Sequence, residues 1–235
     1  MSILVDIDEA KNFIDTLHPE LNDNEVLLFL LDARKKYFPE ITSKDRMIQR
    51  KVLKKKEYTD RLLYEICSVE DRYMYEGGFI PKEAFVLYMV LNPCDIIKAY
   101  FKLQEDMNQL LYQVMKRDEN ALYNFKKVHV HWFSALHRSR AKLKYWLIDI
   151  DEKDEELLKY VLQFGFEVKW ISETRGGYHI IIPVNDENGK ILFRDKVLSK
   201  LEKVELKKNA MTPVVGTMQG GVLVRKYKRR LDEFL

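Results

Sequence analysis

The chain has 235 residues, of which 46% are hydrophobic and 33% are charged, and its formal net charge is +3. This length allows one or two domains with a buried core, and so small a net charge does not by itself argue for a nucleic-acid partner. The two cysteines, Cys67 and Cys94, exclude a disulfide framework and a zinc-ligand set. The acidic start and the lack of a long apolar run predict no signal peptide and no membrane span, so we expect a cytoplasmic protein.

Residues 1–58 are predicted to form a helical N-terminal extension with a basic linker. Apolar residues recur at helical spacing in residues 7–19 and 24–36, and Pro39 closes the second segment. Residues 44–61 are rich in lysine and arginine. This basic run is either a solvated surface or a contact surface for a phosphate backbone.

The main domain is predicted to span residues 59–235, and its first part, residues 60–140, mixes predicted strands and helices. Alternating apolar residues predict a strand at 58–67, and the apolar run at 84–91 predicts a second strand that Asn92-Pro93 closes. Helical periodicity predicts a long amphipathic helix at 95–116 and another helix at 120–140.

From residue 145 onward, the pattern predicts the order strand, helix, strand, strand, helix, strand. The strands are expected at 145–151, 167–172, 180–184 and 204–206, and the helices at 155–164 and 191–203. A loop at 212–217, a short strand at 222–224 and a basic tail follow. This is the order of split β-α-β folds. The predicted class is therefore α+β, with an RNA-recognition/ferredoxin-like β-α-β core behind an α/β module and a small helical extension.

Two carboxylates at the end of the first of these strands predict a metal–phosphate site. Asp149 and Asp151 alternate with Ile148 and Ile150, so both acids point to one face of the strand. Carboxylates in such a place are costly unless a cation neutralises them, and Mg²⁺ is commonly held by one or two carboxylates together with substrate phosphates. A glycine turn ending in His179 opens the neighbouring apolar strand.

A third pattern follows: Val204-Glu205, then Lys207-Lys208, then Pro213-Val214-Val215-Gly216-Thr217. The Asp-x-Asp strand, the glycine turn with its histidine and this third segment resemble the motifs of the archaeo-eukaryotic primase superfamily. The resemblance covers about residues 60–235, with a glutamate where aspartate is commoner in the third motif. It implies a metal-dependent, template-directed nucleotidyltransferase, a DNA primase or primase-polymerase that makes or extends primers.

The resemblance also implies roles for single residues. Asp149, Asp151 and Glu205 would hold Mg²⁺ or Mn²⁺ ions that clamp the attacking 3′-oxygen and the leaving pyrophosphate. The candidates for nucleotide or template binding are Ser172, Arg175, Gly176, Gly177, His179, Lys207, Lys208 and Arg225. The implied partners are nucleoside triphosphates, a single-stranded DNA or RNA template, and a helicase or another replication protein.

A second motif, His-Val-His, indicates a different class of enzyme, an endonuclease. His129 and His131 alternate with valines, which on a strand would place both imidazoles on one face and suit a metal. This pattern resembles the motif of replication-initiator and relaxase endonucleases, which use a tyrosine nucleophile on a later helix. Tyr160 is on a predicted helix but lacks the lysine that often accompanies that tyrosine. The plainer interpretation is that the two histidines lie near a helix start and bind nothing.

Two non-catalytic interpretations remain open. The chain could be a nucleic-acid-binding module that uses its basic runs and exposed aromatics such as Tyr178 for stacking, or an inactive primase relative. In these cases the Asp-x-Asp pair caps a helix, Gly176-Gly177 is a hairpin turn and His179 is a structural histidine.

Overall fold

The computed structural model describes residues 5–41, 46–69, 72–194, 198 and 201–227, which form a mixed α+β structure. Helices α1 to α7 span Ile7–Leu17, Thr59–Cys67, Ile96–Met115, Glu119–Phe125, Val128–Arg138, Glu155–Leu162 and Asp186–Gly189. Strands β1 to β14 span Glu25–Ala33, Arg46–Leu53, Met74–Tyr75, Gly78–Phe79, Phe85–Val90, Cys94–Asp95, Tyr145–Ile150, Trp170–Glu173, Tyr178–Pro183, Val204–Lys207, Met211–Pro213, Met218–Gln219, Val222–Leu223 and Arg225–Lys226. Single 3₁₀ or π turns lie at Lys56–Tyr58, Lys82–Ala84 and Lys190–Arg194.

The first sheet is antiparallel and has the order β11-β5-β1-β2, with β6 pairing to the far end of β1. Its central strand β1 is buried along its whole length. The predicted helix at 24–36 is therefore wrong. A continuous apolar run such as Val26 to Leu31 satisfies a helical and a two-sided strand pattern equally, and only its neighbours on both sides decide between them.

The prediction for residues 58–67 is wrong in the opposite direction, because this segment is helix α2. Leu62, Leu63, Ile66 and Cys67 share its buried face, whereas Tyr64, assigned to the apolar side of a strand, is exposed. The basic run ahead of it is not a linker either. Most of its first half is strand β2, which pairs with β1 along the edge of the first sheet, while residues 42–45 lie outside the described residues.

The second sheet is also antiparallel and has the order β10-β7-β9-β8-β14. The predicted strands from residue 145 onward are confirmed as β7, β8, β9 and β10, and the predicted helix at 155–164 is confirmed as α6. Strands β8 and β9 form the expected hairpin. Of the predicted helix at 191–203, the described part is a π turn at Lys190–Arg194. Residues 201–203 are not helical, and residues 195–197, 199 and 200 lie outside the described residues.

A shared core lies between the two sheets and includes the N-terminal helix. It joins Leu87 and Met89 of the first sheet to Leu147 and Ile181 of the second. Helix α1, predicted at 7–19 and confirmed, adds Phe13, whose ring meets that of Trp170 edge to face at 5.2 Å. The hydroxyl of Tyr145 donates to the carbonyl of Leu17 at 2.6 Å. Residues 1–58 are thus no purely helical extension, since β1 and β2 belong to the same sheet as β5.

Helices cover the outer face of each sheet. Helix α6 packs under the second sheet through Leu158 and Val161, which contact Ile148 and Ile180. The predicted strand at 84–91 is confirmed as β5 and the predicted helix at 95–116 as α3, but the segment at 120–140 is two helices, α4 and α5. Helix α5 covers part of the first sheet through Leu136. Within the described residues, no helix is long and apolar enough to cross a membrane.

Candidate functional site

One row of polar side chains crosses the second sheet on the face that looks toward the first sheet. Residues that lie directly opposite each other on antiparallel strands point to the same face. The register of the second sheet therefore places five side chains side by side: Glu205, Asp149, His179, Ser172 and Lys226. The next row on this face, with Leu147, Ile181 and Trp170, belongs to the core between the sheets, so the polar row borders that core.

Asp149 is the centre of the row. It is 7% exposed, and its two carboxylate oxygens contact His179 Nε2 at 3.1 Å and Lys207 Nζ at 2.5 Å. Burial alone would raise the pKa of Asp149, but the hydrogen bonds and charges of His179 and Lys207 outweigh it and lower the pKa to about 2. Asp149 is therefore an ionised carboxylate at neutral pH, although it is almost completely buried.

His179 joins the two sheets. Its Nδ1 lies 3.0 Å from the Oγ1 of Thr212, which belongs to β11 of the first sheet. Nε2 of the same ring faces Asp149, so the imidazole lies between the buried carboxylate and the Thr212 hydroxyl. Thr212 is fully buried, so its hydroxyl is not exposed for attack on a substrate. The contact orients the imidazole and holds the polar row against β11.

Lys207 bridges two carboxylates at the edge of the row. Its Nζ lies 2.5 Å from Asp149 Oδ2 and 3.1 Å from Glu205 Oε2. Burial lowers the pKa of Lys207, but the two carboxylates raise it by more, so the ammonium stays charged. A cation between two carboxylate oxygens is the arrangement that a divalent metal ion would also satisfy, and Glu205, with 64% of its side chain exposed, leaves this edge open to solvent.

The described residues do not contain three or more His, Cys, Asp or Glu side chains close enough together to hold a metal ion. Asp151 lies one residue beyond the end of β7, is exposed, and its backbone N–H donates to the carbonyl of Lys203 at 2.9 Å. The donor set fits a divalent cation in its chemistry, because Asp149 and Glu205 already share one positive charge. Asp149 and Glu205 would be its first ligands, and a third carboxylate would have to come from Asp151.

Ser172 is the remaining polar member of the row near His179. It is fully buried, and no described residue or its backbone makes a hydrogen bond with its hydroxyl. A buried hydroxyl without a partner costs free energy, so such groups in native proteins call for an explanation. Because Ser172 is as buried as Thr212, a ligand would reach its hydroxyl only after a neighbouring side chain of the row had moved.

The turn between β8 and β9 holds the predicted glycines, and they differ. A Cβ atom on Gly177 would lie 1.9 Å from the carbonyl oxygen of Ile150 and 2.7 Å from the nitrogen of Glu152. Gly177 is therefore required by the close approach of the turn to the end of β7. Gly176 is exposed and has open space where a Cβ would be. Only Gly176 presents a backbone that an incoming phosphate could approach.

The predicted basic residues divide between the two faces of the second sheet. Lys207 is in the site, whereas the Nζ of Lys208 lies 4.7 Å from the ring centroid of Phe193, which packs on Trp146 of the opposite face. Arg225 lies opposite Glu173, in the row of Tyr178 and Ile150, and so belongs to that opposite face as well. The structure does not bring Lys208 and Arg225 together with Asp149.

Arg175 is at the tip of the same turn and is held by three contacts. Its backbone N–H donates to Gln219 Oε1 at 2.9 Å, its guanidinium donates to the carbonyl of Gly220 at 2.5 Å, and its Cζ lies 4.8 Å from the ring centroid of Tyr37. Gly220 and Gly221 both have positive φ, as the two central residues of a tight hairpin turn require. The exposed guanidinium is thereby fixed beside the site, outside the polar row.

No family model, curated protein or solved structure matches this chain. The resemblance to primases therefore stays a prediction that rests on the motif residues, and the structure adds only how these residues are arranged in space. That arrangement unites Asp149, His179, Ser172, Glu205 and Lys207, and it leaves Asp151 and Arg175 at the border.

The plainer placement of His129 and His131, near a helix start, is confirmed, and one further prediction is corrected. His129 and His131 lie in the first turn of helix α5, where positions two apart point in different directions, so they do not form a metal-binding pair of the endonuclease type. His131 Nε2 instead lies 3.1 Å from the carbonyl oxygen of Asn124. Tyr178 is not an exposed stacking platform, since it is 4% exposed and packs edge to face on Tyr227.

Sequence reasoning missed two residues of this region. Thr212 was placed in a loop, and its partner His179 is distant in sequence and in the other sheet, so no local pattern could link them. Lys226 was part of a basic tail, but the pairing of β14 with β8 puts it at the end of the polar row, with its Nζ 4.5 Å from the ring centroid of Trp170. In the sequence, only its place directly behind the apolar run Val222-Leu223-Val224 indicates weakly that Lys226 lies in a strand.

Proposed function

We propose that this protein is a metal-dependent, template-directed nucleotidyltransferase of the primase-polymerase type, acting on nucleoside triphosphates and a single-stranded template. The observation that carries the proposal is the polar row. Three sequence motifs that are far apart in the chain contribute Asp149, His179 and Glu205 to adjacent positions on one face of one sheet. Lys207 and the unpartnered hydroxyl of Ser172 lie beside them.

The order of the second sheet supports the proposed RNA-recognition/ferredoxin-like core. In chain order, β7, β8, β9 and β10 are the first to fourth strands of the predicted β-α-β-β-α-β segment, and their order in the sheet is fourth, first, third, second. The first and second strands are thus separated by the third, which is the split β-α-β arrangement. The motif residues lie on the central strands β7 and β9 and on the neighbouring β10.

The roles that we propose follow from position and charge. Asp149 and Glu205, with Asp151, would hold Mg²⁺ or Mn²⁺, which when bound supplies the charge that stabilises an in-line displacement at phosphorus. Lys207, now between the two carboxylates, would turn to a phosphate oxygen of the nucleotide. His179, held by Thr212 through Nδ1, would donate its Nε2–H to the triphosphate once a bound metal ion takes over Asp149, and Arg175 would pair with phosphate at the mouth of the site.

The test is primer synthesis on single-stranded DNA with labelled nucleotides and Mg²⁺ or Mn²⁺. Glu205→Gln is the sharpest variant, because this side chain is mostly exposed and its loss should leave the fold intact. We expect Glu205→Gln and Asp149→Asn each to reduce incorporation by about 100-fold or more, since each removes a ligand charge from the transition state.

Glu202→Gln is the matched control. Glu202 is an exposed acid three residues earlier and outside the polar row, so incorporation should stay at the wild-type level. Equal activity of wild type and Glu205→Gln would contradict the proposed metal site. Nucleotide addition without any template would contradict the template-directed part of the proposal.

One observation favours a second candidate, a nucleic-acid-binding module without catalysis. The charge of Asp149 is already balanced by Lys207 and by its hydrogen bond to His179, and the described residues contain no group of three metal ligands. In that case the carboxylates of Asp149 and Glu205 stabilise the structure through their ion pairs and take no part in catalysis. The module predicts no labelled product from wild type or Glu205→Gln, with equal template affinity for both.

A further inference from the structure

A groove with basic walls runs along the outer face of the first sheet, where helix α5 leaves part of the sheet uncovered. It consists of two adjoining cavities of ≈ 220 Å³ and ≈ 280 Å³, and both are lined by Arg50 and Phe133. We call it the basic groove. Its floor in the first cavity is Leu28, Leu30 and Met211.

The charge of the basic groove has one sign. Its described lining includes Arg50, His129, His137 and Arg138, and no carboxylate lines either cavity. Asp106 pairs with Arg138 from outside. Burial, followed by the nearby Arg140 and Arg50, lowers the pKa of His137, as expected where cationic groups converge. The lining thus offers an anionic ligand the guanidinium groups of Arg50 and Arg138 and two imidazoles, with Asp106 as the acid beside Arg138.

The strand register explains why Arg50 enters the groove. Arg50 lies opposite Leu30, which belongs to the outer layer, and its Cζ is 5.7 Å from the ring centroid of Phe133. The next residue, Lys51, lies opposite Phe29 of the inner core, so it points to the other face, where it pairs with Glu65 at 3.0 Å. Two neighbouring cations of one strand thus serve different surfaces.

Arginine and aromatic side chains also meet elsewhere on the outer layer of the first sheet. Tyr88 lies opposite Leu30 on the next strand, and Arg34 covers its ring at 5.7 Å and donates to its hydroxyl at 2.8 Å. Beyond them, Arg175 covers Tyr37. Asp32, 6% exposed, is a carboxylate on this face.

The groove and the candidate site lie on opposite sides of one strand, β11. Met211 forms part of its floor, and the next residue, Thr212, hydrogen-bonds His179 in the polar row. Because successive side chains of β11 point to opposite faces, this one strand lies between the groove and the site.

We infer that the basic groove binds single-stranded nucleic acid. A base stacks on Phe133, and Arg50, His129 and His137 contact the phosphates. Alternating cations and aromatic rings are the arrangement that binds a strand without reading its sequence. The choice of nucleic acid as the partner rests on the proposed function. In a template-directed enzyme, this groove would bind the template strand. The binding surface itself needs neither Asp149 nor a metal ion.

The experiment measures binding of the full chain to a labelled 20-nucleotide DNA or RNA by fluorescence anisotropy, in EDTA and at several salt concentrations. We expect Arg50→Gln to weaken binding and to reduce the slope of log affinity against log salt by about 1. Phe133→Leu, which keeps apolar volume, should weaken binding by about 5-fold or more. Lys51→Gln is the matched control, since it removes the same charge from the next residue on the opposite face, and it should bind like wild type.

Several outcomes would overturn the inference. Equal effects of Arg50→Gln and Lys51→Gln would show that only net charge matters, and displacement by polyglutamate of equal charge would show a general anion site. As a readout that needs no variant, hydrogen exchange of the wild-type chain should slow in residues 128–138 when the oligonucleotide is added. Slowing in α2 instead would place the strand on the other face of β2.

Primer synthesis with the same variants separates the two proposals. Binding that depends on Arg50 and Phe133 without any nucleotide incorporation would support the groove and contradict the proposed function. Incorporation that depends on Glu205, with template affinity unchanged in Arg50→Gln and Phe133→Leu, would support the function and overturn the groove.

Discussion

Asp149 and His18 are two buried ionisable residues that the fold treats in opposite ways. Asp149 keeps its charge because Lys207 and His179 lie against both carboxylate oxygens. His18 is fully buried beside the ring of Tyr145, and burial, followed by the charges of Lys144 and Lys56, lowers its pKa to about 3. The cationic surroundings that favour a carboxylate disfavour an imidazolium.

His18 makes the stability of the protein depend on pH below neutrality. The unfolded chain binds a proton at His18 near pH 6.5, whereas the folded chain does so only near pH 3. The stabilising effect of the neutral ring is fully present above pH 6.5 and is lost as the pH falls toward 3. We expect the free energy of unfolding to decrease in this window by about 1.4 kcal/mol per pH unit from this group.

Urea denaturation of wild type and His18→Gln at pH 7, 6 and 5 tests this. The difference in unfolding free energy between the two proteins should shrink as the pH falls, because the variant has no proton to bind. His129→Gln is the control, since His129 is exposed. His137, whose pKa is also lowered, is present in all three proteins and cancels from the comparison. A difference that is constant with pH would refute the prediction.

At the scale of single elements, the turn between β8 and β9 is set by one close contact. The carbonyl of Gly177 accepts from the Thr174 N–H at 2.8 Å, and its own N–H contacts Thr174 Oγ1 at 3.1 Å. This compact turn lies against the backbone at the end of β7, where no side-chain atom fits. Because this turn leads directly into β9, its contact with the end of β7 helps to hold His179 opposite Asp149.

Gly177→Ala should be strongly destabilising, and Gly176→Ala should be nearly neutral. The first adds a methyl group that overlaps the carbonyl of Ile150, so the turn must move away from β7, at a cost of about 2 kcal/mol or more. The second adds a methyl group in open space, at a residue outside the positive-φ glycines, with an effect within about 0.5 kcal/mol. Thermal denaturation of both variants measures the contrast, and equal melting temperatures would contradict it.

At the scale of the whole molecule, the inner core connects segments that lie far apart in the chain. Phe13 of α1 and Phe29 of β1 share it with Leu147 of β7 and Val224 beyond β13. Asn92 adds a polar link, since its side chain accepts from the backbone of Lys144 and Tyr145 at 2.9 Å and donates to the carbonyl of Tyr145 at 2.9 Å. Folding of either sheet therefore depends on the other.

A fragment of residues 59–235 should not fold by itself. It lacks α1, β1 and β2, and without β1 the first sheet loses the strand that β2, β5 and β6 all pair with. We expect the fragment to show no cooperative thermal transition by circular dichroism, with the full chain as the control. A soluble, cooperatively folding fragment would show instead that the predicted division at residue 58 is a true domain boundary.

The sequence by itself determined the elements whose pattern has only one solution. The period of α1, α3 and α6 and the alternation in β7 identified them, and the pattern from residue 145 onward predicted four strands of the second sheet. It also singled out Asp149, because a charged residue in a buried strand is rare, and His179 after its glycine turn, whereas Glu205 and Lys207 were named only through the resemblance to the primase motifs.

Only the tertiary structure decided the rest. Whether Val26 to Leu31 form a helix or a strand depends on partners at residues 46–53 and 85–90, and a local period carries no information about them. The separation of Lys207 from Lys208, of Gly177 from Gly176 and of Arg50 from Lys51 arises in the same way. Each pair is adjacent in the sequence, and the register or close packing of a neighbouring strand assigns its members to different surroundings.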